Sequence, residues 1–357
     1  MTPTVSTKVP YRLTRLGMIM ERDEGSALEA EGVLNPASGR GPDGRLWLLP
    51  RLVAAGNVSR VGIAEILVHD GIPTGVRRDG VVLAPDCSWE RSHDHAGVED
   101  PRVTWIEALG VHVMAYVAFG PLGPRAALAV STDLRSWRRL GPVHFEYSSE
   151  LNADFNLFPN KDVVYFPEPV VGPDGRPALA MLHRPTWDLE TIVGSGNAFL
   201  PAGLDDPRPG IWISYTPLDG VRTDIRALTH VRSHRLVALP EFGFEEVKIG
   251  AGPPPIRVDE GWLLLHHGAA GTQAPGWRPQ QDLRYSVGAM LLDAADPGTV
   301  LTRTSSPLLE PATLDERAGT VPNVVFPTAI EQIDGQRFVF YGMADSSIGV
   351  ARLDRIG

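Results

Sequence analysis

Residues 97–141 read GVEDPRVTWIEALGVHVMAYVAFGPLGPRAALAVSTDLRSWRRLG. An acidic pair, Glu99-Asp100, is followed at once by Pro101 and Arg102. Proline fixes its own φ and pushes the preceding residue out of the helical region, so Asp100 belongs to a stiff turn. Three strand-like runs come next: VTWI at 103–106, an apolar run at 111–119, and AALAV at 126–130. Gly120-Pro121 and Gly123-Pro124 separate the last two, as a turn should. Ser131-Thr132-Asp133-Leu134 then turns into Trp137. The stretch predicts an up-and-down set of short strands with a carboxylate at its mouth.

The same punctuation recurs on both sides. Leu34-Asn35-Pro36 precedes LWLL at 46–49, and Phe166-Pro167-Glu168-Pro169 precedes ALAML at 178–182. Pro253-Pro254-Pro255 precedes WLLL at 262–265, and Val325-Phe326-Pro327 precedes FVFY at 338–341. Each intervening turn carries glycine: Gly44, Gly110, Gly172 with Gly175, Gly261 and Gly335. A period of this kind marks repeats that each supply one sheet. Five four-stranded sheets around an axis make an all-β, five-bladed β-propeller; a β-sandwich with chance prolines is the alternative. The domain plan is an N-terminal arm over 1–20, with 1–10 mobile, and one catalytic propeller domain over 21–357. Short helical turns are expected at 188–199 and 313–317. Residues 154–160 and 272–282 read as long loops suited to covering a pocket.

The chain has 357 residues, with 37 Gly and 32 Pro and no low-complexity tract, which fits many tight turns. A net charge of −10 argues against nucleic acid or an anionic membrane as the main partner, while leaving room for a local basic pocket. One cysteine, Cys87, excludes an intrachain disulfide and a cysteine-based zinc site. The start lacks the apolar core of a signal peptide, and no apolar run reaches membrane-spanning length. A cytoplasmic protein is the expectation.

In a propeller the innermost strands converge on the central channel, so residues far apart in sequence meet there. The candidates beside each unit's punctuation or at the ends of its apolar runs include Asn35, Arg51, Arg60, Glu99, Asp100, Arg102 and Asp345. Lys161 and Asp162 precede VVYF, and His183-Arg184 ends ALAML. Lys248 precedes a glycine-rich turn, and His266-His267 ends WLLL. Cations at the ends of buried strands lose water and call for an anion. Phosphate suits Lys and Arg well. Each residue also has a plain structural reading. Lys161 could be a solvated strand-edge lysine, Arg184 could pair with Glu168 or Asp162, and Arg102 could only brace Asp100. Glu245-Glu246 could be a solvated pair. One of His266 and His267 must face away from the other on a strand.

These residues sit in segments that resemble glycoside hydrolase family 130, the β-mannoside phosphorylases and related mannosidases. In family order they are GVLNPAS at 32–38, SRVGIA at 59–64, GVEDPRVT at 97–104 and GPRAALAVSTDLRSW at 123–137. NKDVVYFPEPV at 160–170, MLHRP at 181–185, IWISYTP at 211–217 and EEVKIGAGPPPI at 245–256 follow. GWLLLHHG at 261–268 and VPNVVFPTA to YGMADSSIGVA at 321–351 complete the set, which covers nearly the whole chain.

The resemblance implies a five-bladed propeller with the sugar at its centre and Asp100 as general acid, protonating the leaving oxygen through the mannosyl 3-hydroxyl. Inorganic phosphate, a co-substrate rather than a cofactor, then attacks the anomeric carbon from the opposite face and gives α-mannose 1-phosphate. The family's phosphate-holding positions fall on Lys161, Arg184, Lys248 and His267. Asp345 falls on a sugar-side carboxylate, and Asn35, Arg51, Arg60, Glu99, Arg102, Asp162 and His183 fall in the substrate pocket.

An inverting hydrolase needs a second carboxylate as base, whereas phosphate is already a nucleophile and needs only its charge held in place. A basic cluster opposite Asp100 therefore predicts a phosphorylase; a carboxylate such as Glu168, Glu245 or Glu246 there predicts a hydrolase. A non-catalytic sugar-binding propeller is the third class. Lysine at 161 cannot bind bidentately as arginine does. Residues 144–159 and 188–209 read as insertions that lengthen loops on the acceptor side. No metal is implied, because the histidines lack a closed ligand spacing. The expected partners are a β-mannoside oligosaccharide and inorganic phosphate, and loops of a second copy in a homo-oligomer could close the acceptor side.

Overall fold

Along 46–53, LWLLPRLV, every residue except Arg51 is buried. Leu46, Leu48 and Leu52 pack in one core cluster, and Trp47 and Leu49 in another. A strand whose alternate side chains are apolar on both faces must be covered on both sides. Repeated around an axis, that requirement makes each sheet a blade between two others.

A computed structural model describes residues 9–92, 96–187, 200–274 and 280–356. Strand β1 (Tyr11–Met20) opens the chain. The first blade holds β2 (Gly32–Arg40), β3 (Leu46–Ala54), β4 (Val58–His69) and β5 (Ile72–Leu83). The second holds β6 (Ala96–Ile106), β7 (Val111–Gly120), β8 (Gly123–Ser131) and β9 (Arg138–Pro142). After β10 (His144–Phe145), the third holds β11 (Asn160–Tyr165), a short β12 (Val170–Val171), β13 (Pro177–Pro185), β14 (Ile211–Pro217) and β15 (His230–Ala238). The fourth holds β16 (Lys248–Ala251), a short β17 (Ile256–Val258), β18 (Gly261–Gly271), β19 (Leu283–Leu292) and β20 (Val300–Arg303). The last holds β21 (Val325–Ile333), β22 (Gln336–Met343) and β23 (Ser347–Arg355). Strand β1 completes it, pairing antiparallel with β23 from Tyr11↔Arg355 to Met20↔Ile348.

Five core clusters lie between successive blades. One joins the first and second blades through Leu49 and Met114, the next joins the second and third through Val113 and Leu179, and the third joins the third and fourth through Ile213 and Leu264. The fourth sits between the fourth and fifth blades at Leu265 and Val339, and the last joins the fifth back to the first through Phe340 and Leu48. The ring closes, and the protein is a five-bladed β-propeller.

Several expectations need correction. The N-terminal arm over 1–20 is an arm in name only where it is described: residues 11–20 are the outer strand of the last blade, because Tyr11 and Leu13 are apolar anchors in the core between the last two blades. Residues 1–8 lie outside the described residues, as does the helical turn expected at 188–199. The turn expected at 313–317 is present as helix Leu314–Arg317. The proline marker falls inside the inner strand in the first, second and last blades. In the third and fourth blades it falls after that strand, beyond Lys161-Asp162 and beyond Lys248. The loop at 154–160 is not a cover for the pocket: Phe155 is fully buried against Trp187, Trp212 and His234. Residues 144–159 add strand β10 to the outer edge of the third blade, parallel to β15. The loop at 272–282 lies partly outside the described residues.

Four of the five interfaces contain a buried glutamate in the short helix before an inner strand. Glu90 accepts hydrogen bonds from the Tyr116 hydroxyl at 2.7 Å and from Arg139 Nε at 2.8 Å. Glu245 accepts from His266 Nε2 at 2.7 Å and Arg303 Nη2 at 2.5 Å. Glu316 accepts from the Tyr341 hydroxyl at 3.0 Å and Arg15 Nε at 2.8 Å, and Glu29 accepts from Arg78 Nε at 2.9 Å. Each carboxylate also caps backbone amides. Fully satisfied buried acids of this kind fix one geometry, and removing a partner leaves an uncompensated charge.

Glu245→Gln should lower stability at neutral pH by about 3–5 kcal/mol. Burial works against the Glu245 charge, but His266 and Arg303 hold its carboxyl down to about 2, against an ordinary 4.5. A depressed folded value contributes stability that is present above about pH 4.5 and is lost as pH falls toward 2. Urea unfolding at a series of pH values should therefore show the gap between wild type and variant narrowing on acidification; a gap of constant size would refute the ion-pair account.

Candidate active site

The inner strands β2, β6 and β11 each carry the same irregularity. Register jumps from Leu34 to Ala37, from Glu99 to Arg102, and from Lys161 to Val164, so two residues oppose one on the next strand. The first residue of each bulge has left-handed φ: Asn35 at 41°, Asp100 at 46° and Asp162 at 54°. Asn and Asp are the non-glycine residues that enter this region most readily, and a bulge re-aims the side chain it carries. Asp345, at φ 50°, follows β22 in the same conformation.

The second strand of the first, third and fourth blades adds one polar residue opposite the inner strand. Leu34 lies opposite Arg51, Lys161 opposite Arg184, and Gly250 opposite His267. The residue just before each of these, Pro50, His183 or His266, points to the other face by strand alternation. On that face His266 meets Glu245, as the two-histidine reading required of one member.

His183 is on the same face, turned away from Arg184 and into the interface between the second and third blades. It is 1% exposed, with Nδ1 at 3.1 Å from Asn160 Nδ2 and Nε2 at 2.8 Å from Ser214 Oγ. Ser214 Oγ continues to His234 Nδ1 at 2.7 Å, and His234 Nε2 donates to the Glu146 carbonyl at 2.8 Å. This chain stands where the other interfaces have their buried glutamate.

Around Asp100 the contacts are close. Asn35 Nδ2 donates to Asp100 Oδ1 at 2.8 Å and Arg51 Nη1 donates to the same oxygen at 3.1 Å. Arg51 Nη2 donates to Glu99 Oε1 at 2.9 Å, and Lys161 Nζ lies 3.4 Å from Glu99 Oε2. Burial opposes the Asp100 charge, but Arg51, Lys161, Arg102 and the Asn35 amide together hold its carboxyl below the ordinary range. Asp345 is the opposite case: burial, with the Asp100 charge nearby, pushes its carboxyl up to about 6 against the pull of Arg51.

Arg102 lies behind this group. It is 1% exposed, donates from Nε to the Gly252 carbonyl at 2.9 Å and from Nη1 to the Asp100 carbonyl at 3.1 Å, and stacks over Phe326. The bracing role read beside the substrate role is the one its contacts show. Arg60, on β4 opposite Leu52, has a buried Nη1 with no hydrogen-bond partner.

The second cluster is built on Asp162. Arg184 Nε donates to Asp162 Oδ2 at 2.5 Å, and His267 Nε2 lies 3.4 Å from the same oxygen. A Cβ on Gly250 would fall 2.1 Å from that oxygen and 2.5 Å from the His267 ring, so only glycine permits the approach. Gly342 does the same for Asn35, whose Oδ1 would lie 2.2 Å from an added Cβ. Burial, together with Arg184, Arg102 and Lys248, lowers His267 to about 3 despite Asp162, so it offers a neutral ring and not a charge.

Lys248 Nζ reaches Gln273 Oε1 at 3.4 Å and sits over the Tyr285 ring at 5.4 Å. Tyr285 also lies 6.1 Å from His267, ring to ring, and its environment includes Arg184, Asp345, Asp162 and Asp100. It was not among the sequence candidates; it lies on a third strand, in YSVGAMLL, where an aromatic reads as core.

Among the described residues, buried polar atoms of the two clusters without a hydrogen-bond partner include Asn35 Oδ1, Arg102 Nη2 and both nitrogens of His267. Such groups are costly unless something satisfies them. Glu168 and Glu246, offered as hydrolytic bases, are exposed, and Glu245 is sealed by His266 and Arg303. Among the described residues no group of three or more His, Cys, Asp or Glu is arranged to hold a metal ion, and no helix is long and apolar enough to cross a membrane.

Known proteins resemble this chain in sequence and in fold. A 1,2-beta-oligomannan phosphorylase of Thermoanaerobacter sp. (strain X514) is 32% identical over 301 residues, which is 83% of this chain and 79% of that protein. A beta-1,2-mannobiose phosphorylase of the same organism is 30% identical over 304 residues, 84% of this chain and 78% of that protein. The solved structure of beta-1,2-mannobiose phosphorylase from Listeria innocua, in complex with beta-1,2-mannobiose, superposes with a TM-score of 0.70 at 22% identity, covering 96% of each chain. The family model of glycoside hydrolase 130, described as beta-1,4-mannooligosaccharide phosphorylase, matches residues 43–356, so the chain belongs to glycoside hydrolase family 130.

Proposed function

We propose that the protein is an inverting β-mannoside phosphorylase. It transfers the mannosyl group of a mannobiose, mannooligosaccharide, mannosyl-glucose or mannosyl-GlcNAc to inorganic phosphate, giving α-mannose 1-phosphate and the shortened sugar. The relatives named above are phosphorylases of β-1,2-mannosides, whereas the family model carries a β-1,4 description.

The observation that carries the reading is the meeting of two clusters on the inner strand ends. One is a carboxylate, Asp100, fixed by Asn35 and Arg51. The other is the set Lys161, Arg184, Lys248 and His267, which share the neighbour Asp162 or one another's fields. In this reading Asp100 delivers the proton to the departing oxygen by way of a sugar hydroxyl. In the same reading these four side chains hold phosphate in line with the anomeric carbon, where position and charge stabilisation do the work. Asp100 is ionised in the ligand-free geometry, so it must gain its proton as substrate and anion bind. An arriving anion next to Arg51 and Lys161 offsets the charges that hold Asp100 down, which moves it the right way. Asp345 remains as a sugar-side carboxylate.

Hydrolysis on the same scaffold would need a carboxylate base, and Asp345 is the candidate. Asp345, raised to about 6, is a carboxyl that could serve as a base near neutral pH. Product analysis decides between the readings. With a panel of β-mannosides, α-mannose 1-phosphate should form only when phosphate is present; free mannose released at an equal rate without phosphate would establish hydrolysis instead.

Asp100→Asn keeps the left-handed turn and both hydrogen bonds in shape but removes the acid, so the rate should fall by roughly two to four orders of magnitude. A non-catalytic sugar-binding propeller would bind sugar equally before and after that change. Arg184→Ala should raise the KM for phosphate roughly 10- to 100-fold while moving the KM for mannoside far less, as expected for loss of a charged hydrogen bond to one substrate. Steady-state kinetics with each substrate varied in turn would test this, and a change confined to the mannoside KM would move Arg184 to the sugar side.

A further inference from the structure

The positive side chains of the site differ in what they touch. Lys161 Nζ meets Glu99, and Arg184 meets Asp162. Lys248 Nζ has a neutral acceptor, Gln273 Oε1 at 3.4 Å, and the face of Tyr285 at 5.4 Å. Among the described residues no carboxylate lies within ion-pair distance of Lys248. Every element packed around it bears on its charge. Arg184 on β13 and Lys161 on β11 oppose it, and Asp162 on β11 favours it but is already shared by Arg184 and His267. His267 on β18 is neutral, and Tyr285 on β19 holds its proton.

An amine half-buried beside two other cations, with no anion of its own, is poorly placed to carry charge while the site is empty. An oxyanion placed among Arg184, Lys161 and Lys248 reverses that balance. We propose that on the alkaline side of neutrality Lys248 is uncharged in the empty site and takes up a proton when an oxyanion enters, so that anion binding and proton uptake at this amine are one event. This rests on the reading of the cluster as an oxyanion site. The step is a plain protonation: the amine lone pair takes a proton from solvent, and the ammonium then donates to the anion's oxygen. Burial first, and then Arg184, lower Lys248 to about 7, which puts the uptake in the physiological range. The sign follows from linkage. Below about pH 7 the amine is already protonated and binding costs no uptake. Above it, affinity falls by about tenfold per pH unit until the bound-state value is reached.

The test uses the whole chain and sulfate, a dianion across the neutral range, because phosphate itself titrates there and would confuse the count. Calorimetric titration with sulfate at about pH 8, in two buffers of different ionisation heat, reads protons taken up directly. Wild type should take up about one proton per sulfate, with affinity flat below about pH 7 and falling above it. Lys248→Arg, which keeps a permanent charge, should bind without uptake and with a flat pH profile. Asp345→Asn should keep the uptake. Sulfate binding to wild type without uptake, uptake that survives in Lys248→Arg, or uptake lost in Asp345→Asn would each overturn the proposal. Failure of both sulfate and phosphate to bind wild type would instead remove the oxyanion site, and with it the phosphorylase reading on which the proposal stands.

Discussion

Two residues on an inner strand facing one on its neighbour break the alternation of the sheet at that point, and the site depends on this break. Without it, Asn35, Asp100 and Asp162 would follow the period of two and point into the packed faces between blades. With the first bulge residue turned left-handed, each of these polar side chains is directed to the strand end, where blades converge. The conformation is sparsely populated by most residues and tolerated by Asn and Asp. The polar residue types brought to the strand ends are thus also the residue types that the turn accepts. Alternation then resumes on the second strand and sorts its residues. Arg51, Arg184 and His267 go to the site, while His183 and His266 go to the interface behind.

That sorting explains what was legible in the sequence. In His266-His267 alternation sends His266 to Glu245 and His267 toward Asp162. In His183-Arg184 the same alternation sends Arg184 to Asp162 and His183 to Ser214, since both pairs end an apolar run of alternating faces. Turn glycines and apolar runs located the strands well, because those signals are local. The role of residues 11–20 was not local: pairing with β23 joins opposite ends of the chain, and nothing in YRLTRLGMIM names its partner. The third-strand Tyr285 and the neutral Gln273 were invisible for the same reason. Their importance comes from what lies beside them, Lys248 and His267, and not from their own pattern.

The buried glutamates behind the site supply the rigidity that such a site needs. Catalytic groups on strand ends hold their positions only as well as the strands hold theirs. Glu90, Glu245 and Glu316 each tie the helix before an inner strand to a Tyr or His on the second strand and to an Arg from an outer strand. For Glu316 that Arg is Arg15, carried by β1. Closure of the ring therefore has an ionic element as well as a sheet. At the interface before β11 the acid is replaced by neutral groups, His183, Ser214 and His234, ordered by one direction of donation that ends on the Glu146 carbonyl. Phe155 fills the space beside them, which is why 154–160 became core and not cover.

Charge in the site is arranged in pairs and not as a basic pool. Glu99 lies against both Arg51 and Lys161, Asp100 against Arg51, and Asp162 against Arg184 and His267. A chain of net charge −10 gains little long-range attraction for an anion from such a site. What it offers is short-range: donors already oriented by their carboxylates, with buried nitrogens of Arg102 and His267 that have no hydrogen-bond partner among the described residues. Preoriented donors need no rearrangement when the anion arrives, and stabilisation of that kind is felt at the reacting atoms. The carboxylates are then not competitors of the anion but its positioning groups, each holding one edge of a cation so that another edge is presented. Lys248 is the exception, held by an amide and a ring, and it is the member of the set whose charge is left for the anion to decide.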